Sequence, residues 1–314
     1  STYDRSVKLI DETVLKVALP RKKPKVRRLA KAYLGKPVSN FTKNAYLNVV
    51  NKAKNYIKSG DVFQVVPSQR WKMKYLLPGF SLYRSLRRTN PSPYMFYFEF
   101  SDFSIIGSSP EILVKVENND EVTIRPIAGT RPRGFNESED KALEKDLLND
   151  KKELAEHLML LDLGRNDIGK VSKVGSVKIT ESFVIERYSH VMHIVSNIKG
   201  KLSEGINNVS ALLSGLPAGT VSGAPKIRAM EIIDELESQK RSIFGGGVGY
   251  FGASGQMDFC IAIRTAVLKD KNLYLQAGGG VVFDSDAETE FQETVNKSKA
   301  LLKAAEDSIY FFGD

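Results

Sequence analysis

Two pairs of glutamates have a spacing that could hold a metal ion. Glu290 and Glu293 are three residues apart, which places both carboxylates on one face of a predicted helix, and Glu153 and Glu156 repeat that spacing. Four carboxylates from two helices suit a hard divalent cation, Mg²⁺ above all. Each pair alone is also typical of a solvated helix face. The spacing therefore indicates a metal site only together with its surroundings.

A run of three glycines lies just before Glu290 and Glu293 in the sequence. Without a Cβ, the backbone of Gly278, Gly279 and Gly280 can approach a ligand closely and turn its N–H groups toward an anion. Lys297 lies four residues after Glu293 and so shares its helical face. A glycine run is also typical of a simple turn. The spacing of Glu293 and Lys297 is likewise typical of an ordinary surface ion pair. Together they predict an anion-binding loop beside the carboxylates.

The composition is that of a globular protein with one large core or two smaller ones. Of 314 residues, 42% are hydrophobic and 26% are charged, the usual balance for a soluble fold. The single cysteine, Cys260, excludes an internal disulfide, and its apolar neighbours indicate a packed thiol. The sequence shows no 18-residue apolar run and no apolar leader, so we expect a cytoplasmic enzyme without a membrane anchor.

The net charge of +9 is local and does not predict nucleic-acid binding. Of the 46 basic residues, 13 lie between Thr13 and Gly60, where there is no Asp or Glu, and the remaining 33 face 37 acidic residues. A protein that binds a polyanion would instead spread positive charge over a folded face. We therefore interpret the basic stretch as a linker.

The pattern divides the chain into three parts. Residues 1–18 contain a predicted strand with no nearby partner, which we interpret as the remnant of a mostly missing N-terminal region. Residues 19–39 form the basic, proline-punctuated linker. Residues 40–314 form one domain, in which hairpins mix with helices without strict βαβ order. That mixture predicts an α+β fold.

Three predicted elements of this domain carry further candidates. A strand over residues 61–69 carries Gln64, and a longer strand over residues 257–267 carries Arg264. One charged helix from about residue 138 to 161 carries Glu153 and Glu156. We expect these elements to bring their polar side chains toward the glycine run.

Six longer motifs resemble those of the chorismate-utilising enzymes, most closely those of the large subunits of anthranilate synthases. The resemblance extends over about residues 40–310. So many motifs in one order make a chance match implausible. The motifs are Gly107–Glu111, Pro126–Pro132, Ala155–Met159, Tyr188–His193, Leu216–Lys226 and Gln276–Lys297.

The resemblance implies a fold, a substrate and its binding groups. The fold would be two facing antiparallel β-sheets flanked by helices, and the substrate would be chorismate, a dianion with a leaving hydroxyl at C4 and an enolpyruvyl ether. Arg264 would grip a carboxylate in bidentate fashion. The glycine N–H groups, Lys297 and the hydroxyls of Thr130 and Thr220 would contact the same substrate. Phe244 stands where the family commonly has tyrosine, so a hydroxyl contact would be lost or supplied otherwise.

Catalytic roles follow from the same resemblance. Glu111 corresponds to the general acid that protonates the departing C4 hydroxyl, a role that needs a raised pKa. His193 matches the histidine near the enolpyruvyl end, whereas His157 and His190 are interpreted as structural. Mg²⁺ would bind the ring carboxylate and stabilise the charge that develops there. Its ligands would be Glu153, Glu156, Glu290 and Glu293.

Two positions distinguish the nucleophile. Relatives that add water at C2 have a lysine base where this chain has Gln64, and relatives that add an enzyme amine have a lysine where it has Ala128. A neutral amide cannot activate water, whereas ammonia is already a nucleophile. The resemblance therefore implies that ammonia, supplied from glutamine by a separate amidotransferase subunit, adds directly and that anthranilate and pyruvate are formed in tryptophan biosynthesis.

A feedback site for tryptophan is implied only in part. One half matches the segment that contains Asn90, Pro91, Ser92, Tyr94 and Met95. The other half belongs to the N-terminal segment that this chain is expected to lack. Tryptophan would inhibit only a protein in which that segment exists.

Three alternatives stay open. A synthase that stops at aminodeoxyisochorismate would retain the pyruvyl group. A carboxylate-bridged di-iron protein could use the two Glu-x-x-Glu helices, although such sites usually include Glu-x-x-His. An RNA-binding protein would show salt-dependent gel retardation.

Overall fold

The computed structural model describes residues 1–19, 33–118, 120–188 and 191–311. Its helices are α1 (Thr2–Ala18), α2 (Lys43–Lys58), α3 (Gly79–Thr89), α4 (Glu137–Asn149), α5 (Lys151–Gly169), α6 (Asn208–Gly215), α7 (Gly219–Ser222), α8 (Lys226–Leu236) and α9 (Ala287–Asp307), followed by a 3₁₀ turn, Ser308–Phe311. None of these helices is both long enough and apolar enough to cross a membrane.

The strands lie between these helices, several of them in unbroken succession. They are β1 (Val38–Ser39), β2 (Gln64–Val65), β3 (Ser68–Lys74), β4 (Tyr94–Glu99), β5 (Phe103–Ser109), β6 (Ile112–Glu117), β7 (Glu121–Ile124), β8 (Ile127–Pro132), β9 (Lys178–Arg187), β10 (Val191–Lys201), β11 (Gly223–Ala224), β12 (Gly247–Phe251), β13 (Met257–Ile261), β14 (Thr265–Lys269) and β15 (Asn272–Gly278).

A six-stranded antiparallel sheet forms one half of the fold, in the order β1-β3-β15-β14-β5-β4. Its buried face carries alternate apolar residues such as Trp71, Met73 and Leu275, as a half-buried strand should. The helices α3 and α9 cover this face through Leu82 and Leu301. The resulting core fixes the helix that carries Glu290 and Glu293 against the strand that ends in the glycines.

A seven-stranded antiparallel sheet forms the other half, in the order β12-β13-β6-β7-β10-β8, with β9 also paired to β10. Val114, Val122 and Ile198 fill its core, against which Leu161 and Ile168 of α5 pack. A third apolar cluster joins α2 and α8 around the short β2 strand. The predicted α+β fold with antiparallel sheets and flanking helices is thus confirmed.

The chain passes from one sheet to the other at two adjacent places. It leaves β5 of the six-stranded sheet and enters β6 of the seven-stranded sheet through Pro110 and Glu111, and it returns between β13 and β14 through Arg264. The two passages are hydrogen-bonded together: the Ile261 N–H donates to the Glu111 carbonyl at 3.0 Å, and the Ser108 N–H to the Arg264 carbonyl at 3.1 Å. Glu111 and Arg264 therefore lie at the junction of the two sheets.

Three sequence-based predictions about elements were wrong. The strand predicted within residues 1–18 is the helix α1, because Val7, Ile10 and Val14 follow a helical period and Ser1 and Asp4 form a capping box. The division of the chain at residues 18 and 39 stays a prediction. Residues 20–32 of the predicted linker lie outside the described residues.

The second error concerns the charged helix, which is two helices rather than one. Asp150 ends α4 in an extended conformation and caps α5, accepting hydrogen bonds from the backbone of Lys152 and Glu153. The third concerns the strand over residues 257–267, which is divided into β13 and β14 of different sheets. Arg264 interrupts it with a φ of 49°, a conformation that L-residues seldom adopt.

Candidate active site

The glycine run allows helix α9 and Gln64 to approach its backbone. A Cβ on Gly279 would lie 3.2 Å from Glu290 Oε2, and one on Gly280 would lie 3.2 Å from Gln64 Nε2. The Gly279 N–H donates to the Pro67 carbonyl at 3.1 Å. The role of Gly278, Gly279 and Gly280 in binding a substrate stays a prediction.

Lys297 closes the end of the glycine run. Its Nζ donates to the Gly278 carbonyl at 3.0 Å and forms an ion pair of 2.5 Å with Glu293. The predicted pairing on one helical face is therefore present. The same ammonium lowers the pKa values of Glu111 and His193, which places its charge at the centre of the candidate site.

Glu111 is a buried acid. Its side chain lies at the sheet junction with only 7% of the residue exposed. Burial raises the pKa of Glu111 to about 8, although the nearby Thr220 hydroxyl and the Lys297 charge lower it. Thr220 Oγ1 is itself buried and forms no well-aligned hydrogen bond within the described ranges. Glu111 therefore holds a proton at neutral pH, as a general acid must.

Arg264 is a partly buried cation without a partner in the described part of the chain. No ion pair or hydrogen bond of its guanidinium is found among residues 1–19, 33–118, 120–188 and 191–311. Burial lowers the pKa of Arg264, and the charge of Glu293 acts in the opposite direction. A partly buried guanidinium without a paired carboxylate among the described residues has the chemistry to bind an anion.

His193 and Thr130 face each other on neighbouring strands β10 and β8. His193 Nδ1 lies 3.0 Å from both the Gly129 carbonyl and Thr130 Oγ1. Since a carbonyl can only accept, Nδ1 carries the hydrogen and Nε2 is the free base. Burial lowers the pKa of His193, and the Arg264 and Lys297 charges lower it further. The imidazole is therefore neutral at neutral pH.

Tyr188 is a site residue for which the sequence predicted no role. Its ring contacts His193 edge-on at 5.6 Å, and its hydroxyl donates to Glu186 at 2.8 Å. Burial raises the pKa of Tyr188, and Glu186 and Glu111 raise it further. Its place next to His193 in one motif was the signal that could have identified it. Of the histidines interpreted as structural, His157 is buried against Ser196 Oγ at 2.6 Å, and His190 lies outside the described residues.

The four candidate metal-binding carboxylates lie in one region but do not form a cluster. The pKa of Glu156 is raised to about 7. Burial is the largest cause, and the charges of Glu153, Glu290 and Glu293 act in the same direction. Burial likewise raises the pKa of Glu290, with Glu293 adding to the effect. Across the described ranges, no three His, Cys, Asp or Glu side chains are close enough together to hold a metal ion.

One oxygen of this group lacks a partner. Glu290 Oε1 accepts from Ser285 at 2.7 Å, whereas Glu290 Oε2 is buried without any hydrogen bond from the described residues. Among the described residues, Arg131 lies 3.6 Å from Glu153, Lys152 lies 3.9 Å from Glu156, and Lys297 lies 2.5 Å from Glu293. Four carboxylates in one region, one of them with a buried oxygen that lacks a partner in the described ranges, match a hard cation by donor chemistry.

Phe244 and the segment around residue 90 complete the set of candidates, and the predicted substrate contact of Phe244 stays a prediction. The Phe244 ring lies under the Arg241 guanidinium, 5.4 Å from its centre, and borders a cavity of about 470 Å³. The Asn90 carbonyl accepts from Ser108 Oγ at 2.7 Å, and the Tyr94 hydroxyl donates to Asp258 at 2.9 Å. A tryptophan site at Asn90, Pro91, Ser92, Tyr94 and Met95 stays a prediction.

A buried acid, a partly buried guanidinium and a lysine near the junction of two antiparallel sheets form a candidate site for a small polyanion. Known proteins agree. The chain belongs to the family described as chorismate binding enzyme, whose profile matches residues 4–303.

Relatives with this fold include two anthranilate synthase components and an isochorismate synthase. Anthranilate synthase component 1 of Cereibacter sphaeroides is 67% identical over 280 residues, 89% of this chain and 56% of that protein. The crystal structure of anthranilate synthase component I from Streptococcus pneumoniae has a TM-score of 0.84 at 44% identity, covering 94% of this chain and 65% of that one. The menaquinone-specific isochorismate synthase of Escherichia coli shares the fold, with a TM-score of 0.78 at 23% identity, over 91% of this chain and 64% of that one. This chain thus spans about half the length of its curated relative.

Proposed function

We propose that this chain carries the site that converts chorismate and ammonia to anthranilate and pyruvate. The observation that carries the proposal is the buried Glu111 carboxyl, whose pKa of about 8 keeps it protonated beside Thr220 and Lys297. A proton donor is what departure of the C4 hydroxyl requires. The names of the relatives, anthranilate synthase component 1, support the same reaction.

Each candidate residue would have a separate role in the reaction. Arg264 binds a substrate carboxylate with two hydrogen bonds, and Lys297 adds a second positive charge. Glu111 gives its proton to the C4 oxygen, which leaves as water while the ammonia nitrogen bonds to C2 and the two ring double bonds shift. The nitrogen then loses a proton to solvent. Loss of the C2 hydrogen as a proton expels the C3 oxygen with the enolate of pyruvate, which takes up a proton at its methylene carbon, and the ring becomes aromatic.

The absence of a basic side chain at residues 64 and 128 favours ammonia over water. Gln64 is buried on β2 with its amide beside Gly280, and Ala128 lies on β8 opposite Ile194. Neither side chain can remove a proton from water. Ammonia brings its own lone pair, so it needs no such base at the step that forms the C–N bond.

The carboxylate group would hold the metal. Glu153, Glu156, Glu290 and Glu293 offer only oxygen donors, which Mg²⁺ prefers. When bound, Mg²⁺ would offset negative charge on the ring carboxylate. The raised pKa of Glu156, about 7, comes first from burial and then from the other three carboxylates, and a bound cation would offset that charge.

A second component would supply the ammonia. The relatives are named component 1, which implies a partner. We propose a glutamine amidotransferase subunit that releases ammonia to this site in the cytoplasm, as a step in tryptophan biosynthesis. Tryptophan would act as an inhibitor only in a protein that includes the other half of its site.

The test is a direct assay. The protein is incubated with chorismate, Mg²⁺ and an ammonium salt, anthranilate is followed by its fluorescence, and pyruvate is measured in the same samples. Equal amounts of the two products are expected. Ammonia consumption without pyruvate would show that the reaction stops at aminodeoxyisochorismate, and no consumption of chorismate would overturn the proposal.

Glu290→Gln and Glu293→Gln are each expected to abolish turnover at limiting Mg²⁺ while leaving the fold intact. Each change removes a charge and a ligand from a hard-cation site. The increase in thermal midpoint that Mg²⁺ causes in the wild type should disappear as well, because bound ligand stabilises only the folded state.

The matched control for these variants is Glu288→Gln on the same helix. Glu288 forms an exposed ion pair of 2.5 Å with Lys43, so its loss should change neither the rate nor the response to Mg²⁺. Near-normal rates of both site variants at limiting Mg²⁺ would show that the metal assignment is wrong.

Gln64→Lys is expected to produce some isochorismate from chorismate and Mg²⁺ without ammonia. The new lysine must be neutral to remove a proton from water, and its burial lowers its pKa toward that state. Neighbouring carboxylates oppose that fall, so the rate should be low and should increase from about pH 7 to about pH 9. Chromatography of the products measures it. Equal isochorismate from the wild type would show that Gln64 does not select the nucleophile.

A further inference from the structure

Two active-site segments come together on one guanidinium outside the site. Arg241, in the connection between α8 and β12, donates from Nη1 to the Val221 carbonyl and from Nη2 to the Val66 carbonyl, each at 2.5 Å. Val221 follows Thr220, and Val66 lies two residues after Gln64. A single planar group thus spans the segment beside Glu111 and the segment beside the glycines.

A buried carboxylate holds this guanidinium in place. Glu237 is only 4% exposed at its side chain and forms an ion pair of 2.5 Å with Arg241. The same carboxylate accepts hydrogen bonds from the backbone N–H and the hydroxyl of Ser68, both at 2.8 Å. Charge-assisted bonds in this number fix both partners. Glu237 and Arg241 therefore tie β3, α7 and the Gln64 segment into one unit.

The two segments are also in direct backbone contact. The β2 and β11 strands pair through Gln64 with Ala224 and Val65 with Gly223, and the Val66 N–H donates to the Ser222 carbonyl at 2.9 Å. Gly223 has a φ of 137°, and a Cβ there would collide with the Gln64 carbonyl. This strand pair is only two residues long, so it needs support from its surroundings to keep a fixed geometry.

We propose that Arg241, oriented by Glu237, is a positioning residue that sets the distance between Gln64 and Thr220 across the substrate. The proposal rests on the function proposed above, since it assigns these two side chains to opposite sides of one bound molecule. Arg241 touches no reacting atom. It acts through the two carbonyls that it holds, and loss of either bond lets one wall of the site move.

The kinetic signature of such a role differs from that of a binding residue. Arg264 and Lys297 bind the substrate charge and lie outside this network, so affinity should survive when Arg241 is removed. Misplacement of a reacting group by about 1 Å can cost about 10²-fold in rate. For Arg241→Ala we therefore expect kcat to fall about 10²-fold, with a much smaller increase in KM.

A cavity beside Arg241 makes chemical rescue possible. The cavity of about 470 Å³ is lined by Val221, Glu237, Arg241 and Phe244, among others. A guanidinium ion can enter the space that Arg241→Ala leaves and bond both carbonyls, whereas methylammonium has the charge without the planar fork. Millimolar guanidinium should restore much of kcat, and methylammonium should not.

Two further variants keep the test valid if Arg241→Ala folds poorly because Glu237 loses its counter-charge. Arg241→Lys keeps the charge, but one ammonium cannot reproduce the fork between two carbonyls. The double variant Glu237→Gln, Arg241→Met leaves no buried unpaired charge. Arg165→Ala, which removes an exposed arginine paired with Asp162, is the control and should retain wild-type rates.

Hydrogen–deuterium exchange measures the positioning without any turnover. In each Arg241 variant we expect faster exchange in residues 64–68 and 219–224 and unchanged exchange in the core strands β14 and β15. Unchanged exchange in the two segments, wild-type kcat in Arg241→Lys, or a uniform loss of protection throughout the protein would overturn the proposal. Failure of the wild type to convert chorismate would refute the proposed function instead, and exchange in the two segments would still decide the role of Arg241.

Discussion

Replacing Glu111 with glutamine is expected to reduce kcat for chorismate turnover by about 10³-fold, within the range observed for lost general acids. Glutamine has nearly the same shape and can donate an N–H bond, but it cannot release a proton to the C4 oxygen. Steady-state measurement of anthranilate formation with ammonium and saturating Mg²⁺ tests this. Glu117→Gln, at the end of the following strand and paired with Lys115 at 2.8 Å, should be unaffected.

The pH dependence of the wild type should reflect the same group. Because the pKa of Glu111 is raised to about 8, the proton donor is present at neutral pH and is lost as the pH rises through about 8. The rate should therefore decline on the alkaline side with that midpoint, and the residual activity of Glu111→Gln should lack this decline. An alkaline decline retained in the variant would assign it to another group.

The same substitution should stabilise the protein at alkaline pH. A carboxyl whose pKa is raised in the folded state favours folding most fully below its unfolded value of 4.5, and this contribution is lost as the pH rises through about 8. Glutamine does not titrate. Urea unfolding at pH 5 and at pH 8 should therefore show that Glu111→Gln gains stability relative to the wild type at the higher pH.

Replacing Arg264 should have opposite effects on binding and on stability. Arg264→Met removes the group that binds the substrate carboxylate, and the loss of one partner of a buried charge pair costs about 2–5 kcal/mol. Since 1.4 kcal/mol is a tenfold change, kcat/KM for chorismate should fall by about 30-fold to about 4,000-fold. The free protein should become more stable, because a partly buried cation without a partner in the described ranges is replaced by an apolar side chain.

Arg264→Lys separates charge from geometry. An ammonium keeps the charge but cannot form the bidentate bond, so KM should still increase markedly. Arg228→Lys, on an exposed ion pair with Asp61 and Glu231, is the control. Calorimetric titration with chorismate and thermal unfolding of the free proteins measure the two effects. Unchanged affinity in Arg264→Lys would show that Arg264 is not in the substrate site.

Local patterns predicted most of the elements, and the motifs gave the candidate residues of the site. Thr42 caps α2 and Gly60, with a φ of 83°, ends it, as capping rules require. The motif around Glu111 indicated an acid, and the burial that raises its pKa follows from its place at the sheet junction. Such residues are specified by their near neighbours in the sequence, which is why a single chain was enough to identify them.

Residues that depend on distant contacts could not be predicted in this way. The apolar run around Arg264 has the composition of one strand, and only the pairing of its two halves with different sheets reveals the break. The role of Arg241 depends on carbonyls that are 20 and 175 residues away along the chain. The metal ligands are an intermediate case: the spacing within each pair was evident, whereas the distance between the pairs was not.

The two passages between the sheets have a consequence for how the protein folds. Every strand of the seven-stranded sheet lies in sequence between Glu111 and Arg264, whereas the six-stranded sheet is assembled from strands on both sides of that interval. The six-stranded sheet cannot complete the β5–β14 pairing until the ends of the whole intervening segment have come together. This closure is slow because it is non-local. Because Glu111 and Arg264, the candidate proton donor and anion-binding group, lie at those ends, they come together in a nascent chain only when the six-stranded sheet is complete.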